Sequence, residues 1–295
     1  MIHGGGHITL SRKHVRAAQT NHLIKNGFLP VSLDYRLCPE VNLIDGPMAD
    51  VRDGLRWAKE KLPHELMKRG IAADSERLVV IGWSTGGHLA MSLGWTAQEA
   101  NIAPPSAILS FYAPVDFESD HIYRGCGKAL PQPSRSLPEI MKSTQRNPIT
   151  SYSHAQADET NLGWLQPGDA RSDLISHMFK AGNGLSLLLN GLPSDANQPL
   201  AETPSNDRIA AINTLAQLRR GHYNTPTFIV HGTKDDIAPH SAAERFADEL
   251  KSRGVRHAFL SLEDMGHVFD INLQCGTESW EKCVAPGYKF LFDSV

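Results

Sequence analysis

The feature that most limits how this chain can fold is a short apolar run ending in a glycine-bracketed turn. Leu78-Val79-Val80-Ile81 is apolar without alternation and stops at Gly82-Trp83-Ser84-Thr85-Gly86-Gly87. An unbroken run of this kind suits a strand covered on both faces, as in a parallel sheet. Helical spacing resumes over 89–97, so strand, sharp turn and helix follow one another without a linker. With no Cβ at Gly82 and Gly86, the backbone can cross itself within the turn.

The same alternation recurs along the chain. Further strands are expected at 28–35, 107–112, 227–232 and 258–262, with Pro30 weakening the first of these. Helices are expected at 11–26, with Ser11 as N-cap and Gly27 as stop, and at 47–62, with Pro47 at its start. Two more are expected at 240–253, closed by Gly254, and at 278–292, broken near Pro286-Gly287. Strands alternating with helices predict an α/β fold with a mostly parallel central sheet flanked by helices.

One stretch breaks this rhythm. Residues 116–224 are rich in Pro, Ser, Gly and Asn, with helical pieces near 136–146, 172–190 and 206–220. That is too long for a plain connection between two sheet strands. The reading is an α/β core formed by 1–115 and 225–295, with 116–224 inserted as a helical cap over one end.

Composition removes several classes of function. Of 295 residues, 41% are hydrophobic and 21% charged, and the formal net charge of -3 offers no basic stripe for nucleic acid. No apolar run approaches a membrane span, and no secretory leader is evident, so a cytoplasmic location is expected. Cys38, Cys126, Cys275 and Cys283 lack the CxxC spacing of metal sites and are read as free thiols, with up to two disulfides as the alternative. No HExxH or carboxylate–histidine cluster suggests a metal, and no cofactor is expected.

The chemistry lies in two glycine-patterned turns. Gly82-Trp83-Ser84-Thr85-Gly86 has the G-x-S-x-G form that lifts a serine hydroxyl clear of a sheet at the start of a helix. A serine hydroxyl is a weak nucleophile and needs a base, itself oriented by a carboxylate. His3-Gly4-Gly5-Gly6-His7 is suited to holding an oxyanion on backbone N–H groups, with Gly4 shaping the turn, Gly5 and Gly6 donating, and the Thr85 N–H completing the set. The competing reading of the glycines is a phosphate-cradling nest or a loose terminus. His267, after the expected strand at 258–262 and beside Gly266, is the candidate base. Asp235 and Asp236 compete for the carboxylate. Trp83 either lines an acyl pocket or wedges the turn, His7 is placed at an entrance, His3 braces the glycines, and His88 is a packing residue.

His3-Gly4-Gly5-Gly6, Asp34-Tyr35-Arg36-Leu37-Cys38-Pro39-Glu40, the stretch from Gly82 to Ala90, and Gly266-His267 together resemble the hormone-sensitive-lipase-like branch of the α/β-hydrolases. The resemblance covers 1–115 and 225–295, and it is also close to fungal hydrolases found beside or fused to polyketide synthases. It implies a serine esterase that cleaves acyl esters without a cofactor, with Asp235 as the acid of the triad. A carrier-bound thioester is a second substrate, and a non-catalytic binding protein or an inactive truncated product are readings of another class. The family also implies a strand leading into the glycine turn, inside the sheet next to the one bearing Ser84. Here Met1 and Ile2 precede His3. A fragment, neighbouring strands closing the gap, or a strand from another chain are the three expectations for that position.

Overall fold

The computed structural model describes residues 1–119, 130, 132–144, 147–152, 166, 168–193, 195, 198 and 202–295. Four parallel strands form one sheet in the order β1 (Val79–Trp83), β2 (Ala107–Phe111), β3 (Thr227–Gly232) and β4 (His257–Leu262). Val79 pairs with Ala107, Ile108 with Thr227, and Thr227 with His257.

Pleating sends alternate side chains to opposite faces. Val80, Ile108 and Ile229 join one core, packed by α2 (Ala49–Glu60), α4 (Thr85–Glu99) and α10 (His240–Ser252). Ile81, Leu109, Phe228 and Val230 join the other, packed by α1 (Ala17–Lys25), α11 (Glu278–Cys283) and α12 (Ala285–Phe292). The apolar, non-alternating strands follow from this, since both faces are covered.

Elsewhere the chain carries α3 (Leu62–Met67), α5 (Leu137–Ser143), α6 (Ala170–Ala181), α7 (Gly184–Asn190), α8 (Asn206–Ile212) and α9 (Thr214–Arg219). Helices therefore occupy the three pieces expected within 116–224, although part of that segment, including Cys126, lies outside the described residues.

Several boundaries differ from those expected. The helix expected at 11–26 begins at Ala17, because Ser11 turns onto His14, with its N–H 3.1 Å from Nδ1, instead of capping. The helix expected at 47–62 is a π-helical turn (Ile44–Met48) holding Pro47, then α2 and α3. The terminal helix breaks at Val284 rather than at Pro286, which sits in the first turn of α12 where its missing N–H is harmless.

The strand expected at 28–35 is reduced to Leu33, bridged in parallel to Ile2. Ile2 takes the sheet position beside β1, donating to Ile81 O (2.8 Å) and accepting from Trp83 N (3.4 Å). On its other side Leu33 N donates to Met1 O (3.4 Å). In line with these residues lies a cavity of about 670 Å³, walled by Leu29, Val31, Val79 and Ile81 among others. Segment 28–35 pairs through Val31 O, which accepts from Met1 N (2.8 Å), and through Leu33.

Candidate active site

Ser84 stands at the end of β1 as the residue before α4, with φ 52° and ψ -127°. A non-glycine residue held there costs about 1–3 kcal/mol, so its surroundings must impose it. Ser84 N donates to Phe111 O (2.9 Å), and Ser84 O accepts from Gly87 N (2.8 Å). A Cβ at Gly86 would lie 2.2 Å from Ile2 O and 2.5 Å from His3 O, so only glycine lets the two turns meet. His7, Leu10, Tyr112 and Val268 also have positive φ, and the last three wall a cavity of about 20 Å³ beside Ser84.

His267 comes to Ser84 from the loop after β4. Its Nε2 is 2.9 Å from Ser84 Oγ, and its Nδ1 is 2.7 Å from Asp235 Oδ2. A carboxylate facing Nδ1 requires the proton on that nitrogen, which leaves Nε2 to accept from the serine. Asp235 Oδ1 accepts from Ile237 N and Ala238 N, both at 2.9 Å. His231 Nε2 adds a contact to Oδ2 at 3.1 Å. Burial works to raise the Asp235 carboxyl, but the facing His267, with the hydrogen bonds from His231 and His267, outweighs it and holds the group well below the ordinary range. Asp236 is exposed and away from this chain of bonds.

The glycine turn is braced from outside. Tyr35 Oη donates to His3 O (3.0 Å) and Gly4 O (3.1 Å), and its ring stacks on His3 at 4.3 Å. Gly5 has φ 99°, and its carbonyl accepts from Ile8 N and Thr9 N, both at 3.0 Å. Gly4 and Gly5 line the cavity with Ser84, whereas Gly6 packs toward Ile175 of α6. Thr85 opens α4, where first-turn N–H groups have no partner within the helix. Its Oγ1 accepts from His7 N at 3.3 Å.

The remaining sequence candidates fall in different places. His7, expected at an entrance, is fully buried. Its Nε2 is 3.1 Å from His88 Nδ1, and His88 Nε2 is 2.7 Å from Ile212 O. The carbonyl requires a proton on His88 Nε2, so His7 Nε2–H donates to His88 Nδ1. Burial lowers the pKa of His3 and His88 to about 4, each partly offset by its carbonyl partner. Trp83 is buried, lines the cavity and donates its Nε1 to Asp270 Oδ2 (2.9 Å). Among the described residues no group of three or more His, Cys, Asp or Glu is placed to hold a metal ion.

Sequence reading missed a second charged cluster in the cavity wall. Asp270 is buried and also accepts from Arg16 Nε (3.2 Å), Gln19 Nε2 (2.7 Å) and Tyr112 Oη (2.6 Å). It missed Arg171 as well, whose Nη1 donates to Ile8 O (2.6 Å) and Cys38 O (2.9 Å) while Nη2 pairs with Glu40. The only local hint was a charge, Asp270, following the apolar pair Val268-Phe269. No short-range pattern ties Arg171 to a loop more than a hundred residues away.

A serine raised on a strand-to-helix turn and joined through histidine to a buried carboxylate is the arrangement of a hydrolase. Residues 1–159 match the model of the alpha/beta hydrolase fold family, and residues 194–279 match that of the prolyl oligopeptidase family. The chain belongs to the alpha/beta hydrolase fold family. Among solved structures it is similar to an alpha/beta hydrolase superfamily protein from Enterococcus faecalis (TM-score 0.63, 16% identity, 99% of this chain and 88% of that one). It is also similar to carboxyl esterase 2 from Tuber melanosporum (TM-score 0.56, 20% identity, 99% and 76%). More similar in sequence are two non-reducing polyketide synthases, Preu6 of Preussia isomera, at 54% identity over 295 residues, and ascC of Acremonium egyptiacum, at 45%. All of this chain is covered in both matches, but it spans only 13% and 14% of those relatives. No helix among the described residues is long and apolar enough to cross a membrane.

Proposed function

We propose that this chain is a serine hydrolase that cleaves carboxylic esters through an acyl-enzyme. Ser84 is the nucleophile, His267 the general base and Asp235 the residue that orients it. The observation that carries this reading is the unbroken line Asp235 Oδ2–His267–Ser84 Oγ, at 2.7 and 2.9 Å, opening onto the cavity.

Ser84 Oγ attacks the acyl carbon and its proton passes to His267 Nε2. Asp235 steadies the imidazolium so formed without taking its proton. The carbonyl oxygen becomes an oxyanion, for which the N–H groups of Gly5, Gly6 and Thr85 are the donors, with Gly4 shaping the turn. Collapse expels the alcohol, which takes the proton from His267. Water then attacks the acyl-enzyme by the same route and releases the acid. Segment 116–224 serves as a cap, a reading supported by the bonds from Arg171 on α6 to the loop after the glycines.

A thioester is the second substrate class. The residue requirements are unchanged, because only the leaving group differs, and the 54% identity to a polyketide synthase favours an acyl chain of polyketide type. The test is labelling by a fluorophosphonate probe, with Ser84→Ala as control. Labelling of the wild type alone is expected. A folded, monodisperse wild type that stays unlabelled would falsify the reading.

A further inference from the structure

The small cavity beside Ser84 is mostly apolar, but one of its wall residues carries a charge. Arg16 forms part of its wall although only 5% of that residue is exposed. Three of the guanidinium's five N–H groups have partners. Nε donates to Asp270 Oδ2 (3.2 Å), and Nη2 donates to Asp270 Oδ1 (3.4 Å) and to Tyr112 Oη (2.8 Å). Tyr112 Oη in turn donates a hydrogen bond to Asp270 Oδ1 at 2.6 Å. Gln19 and Trp83 complete the shell around Asp270. The carboxylate is thus saturated and the guanidinium is fixed on one side. Nη1 makes no hydrogen bond among the described residues.

Two donors left over on a buried, rigidly held guanidinium are costly beside a methylene and favourable beside an oxygen. Asp270 already balances the positive charge, so a second full anion gains little and a neutral carbonyl or hydroxyl oxygen suits the site better. Arg16 shares this small cavity with Ser84, His267, Gly4 and Gly5, so that oxygen lies within a few bonds of the reacting carbonyl.

We propose that Arg16 Nη1 reads an oxygen on the acyl chain itself, so that short 3-oxoacyl and 3-hydroxyacyl esters or thioesters are preferred over plain alkanoyl ones. This rests on the hydrolase reading and adds a substrate class to it. Arg16 is a specificity residue and not a member of the proton-transfer line. Trp83 and Tyr112 shape the same pocket by holding Asp270.

The test compares butanoyl, 3-hydroxybutanoyl and 3-oxobutanoyl thioesters of N-acetylcysteamine, with the fluorophosphonate probe run on the same preparations. The wild type is expected to favour the oxygenated pair in kcat/KM by ~10-fold or more, since a site built to bond an oxygen rejects the analogue lacking it. The ratio should fall toward one in Arg16→Lys, which keeps a charge for Asp270 but loses the fork. If that variant does not fold, Arg16→Met with Asp270→Asn removes both charges together and should give the same loss of preference. Equal kcat/KM values for the three thioesters in a wild type that labels would overturn the proposal and leave Ser84 as nucleophile. A preference retained in a folded Arg16 variant would also overturn it. Failure to label would remove both readings.

Discussion

The turn at 82–87 closes on itself, whereas the turn at 4–9 closes on residues from several other parts of the chain. In the first, β1 and α4 are contiguous, and Gly87 N returns to Ser84 O within three residues. In the second, the local bonds are those from Ile8 and Thr9 to Gly5 O and the one between His3 Nδ1 and Gly4 O (2.8 Å). Others involve Tyr35, Cys38 N to His7 O (2.8 Å), Thr85, His88, Tyr152 and Arg171. The first turn also leans on a neighbour, through Ser84 N to Phe111 O (2.9 Å), but on fewer segments than the second. A turn held from outside transmits change in its surroundings directly to the atoms facing the serine, and that contrast can be tested at four places.

The largest expected effect is at Arg171. Its pair with Glu40 Oε1 is buried, and Glu40 Oε2 has no hydrogen-bond partner among the described residues. Arg171→Met should therefore cost about 3–5 kcal/mol of stability, measured by denaturant unfolding. Adding Glu40→Gln should recover much of that stability while kcat stays low, because Ile8 O and Cys38 O still lack their donor. Recovery of kcat together with stability would mean that the outer turn needs no tie to α6.

Gly86→Ala attacks the contact between the two turns. Its Cβ would overlap Ile2 O and His3 O, with an overpacking cost of about 1–3 kcal/mol. Misplacing the glycine turn by about 1 Å should lower kcat by about 10²-fold. Single-turnover acylation kinetics would separate this loss from any change in KM.

Acid should loosen the buried histidines. His3 and His88 ionise near 4 in the fold, against an ordinary value of about 6.5. The unfolded chain takes up protons at a pH where the native state refuses them. The stability present above pH 6.5 is therefore lost as pH falls toward 4, by up to about 1.4 kcal/mol per unit for each group. Unfolding free energies across that window should fall less steeply in His88→Gln. An unchanged slope would show that His88 does not contribute.

The smallest effect is at Tyr35→Phe, which removes the hydroxyl bonded to His3 O and Gly4 O but keeps the ring stacked on His3. A loss of about 0.5–1.5 kcal/mol is expected. It should come with a modest fall in kcat at constant KM, visible in steady-state kinetics with a p-nitrophenyl ester. A kcat equal to wild type would place the brace elsewhere.

The same contrast explains what could be read beforehand. The strand at 227–232, the strand into Ser84 and the helix at 240–253 were legible because burial on both faces and helical periodicity write themselves into adjacent residues. The segment 28–35 was misread because β-like composition makes a strand only where a partner offers a ladder, and here it meets only isolated bonds to Met1 and a single bridge to Ile2.

By itself the sequence determined the alternation of strands and helices, the strand-turn-helix around Ser84, and the residue types available for acyl chemistry. Each depends on neighbours a few positions apart, where backbone sterics and periodicity operate. Only the tertiary structure decided that Asp235 rather than Asp236 meets His267, that His7 turns inward to His88, and that Arg16 and Asp270 meet beside Ser84. Those choices depend on packing between segments that lie up to 254 positions apart, as Arg16 and Asp270 do, and no local pattern carries that distance.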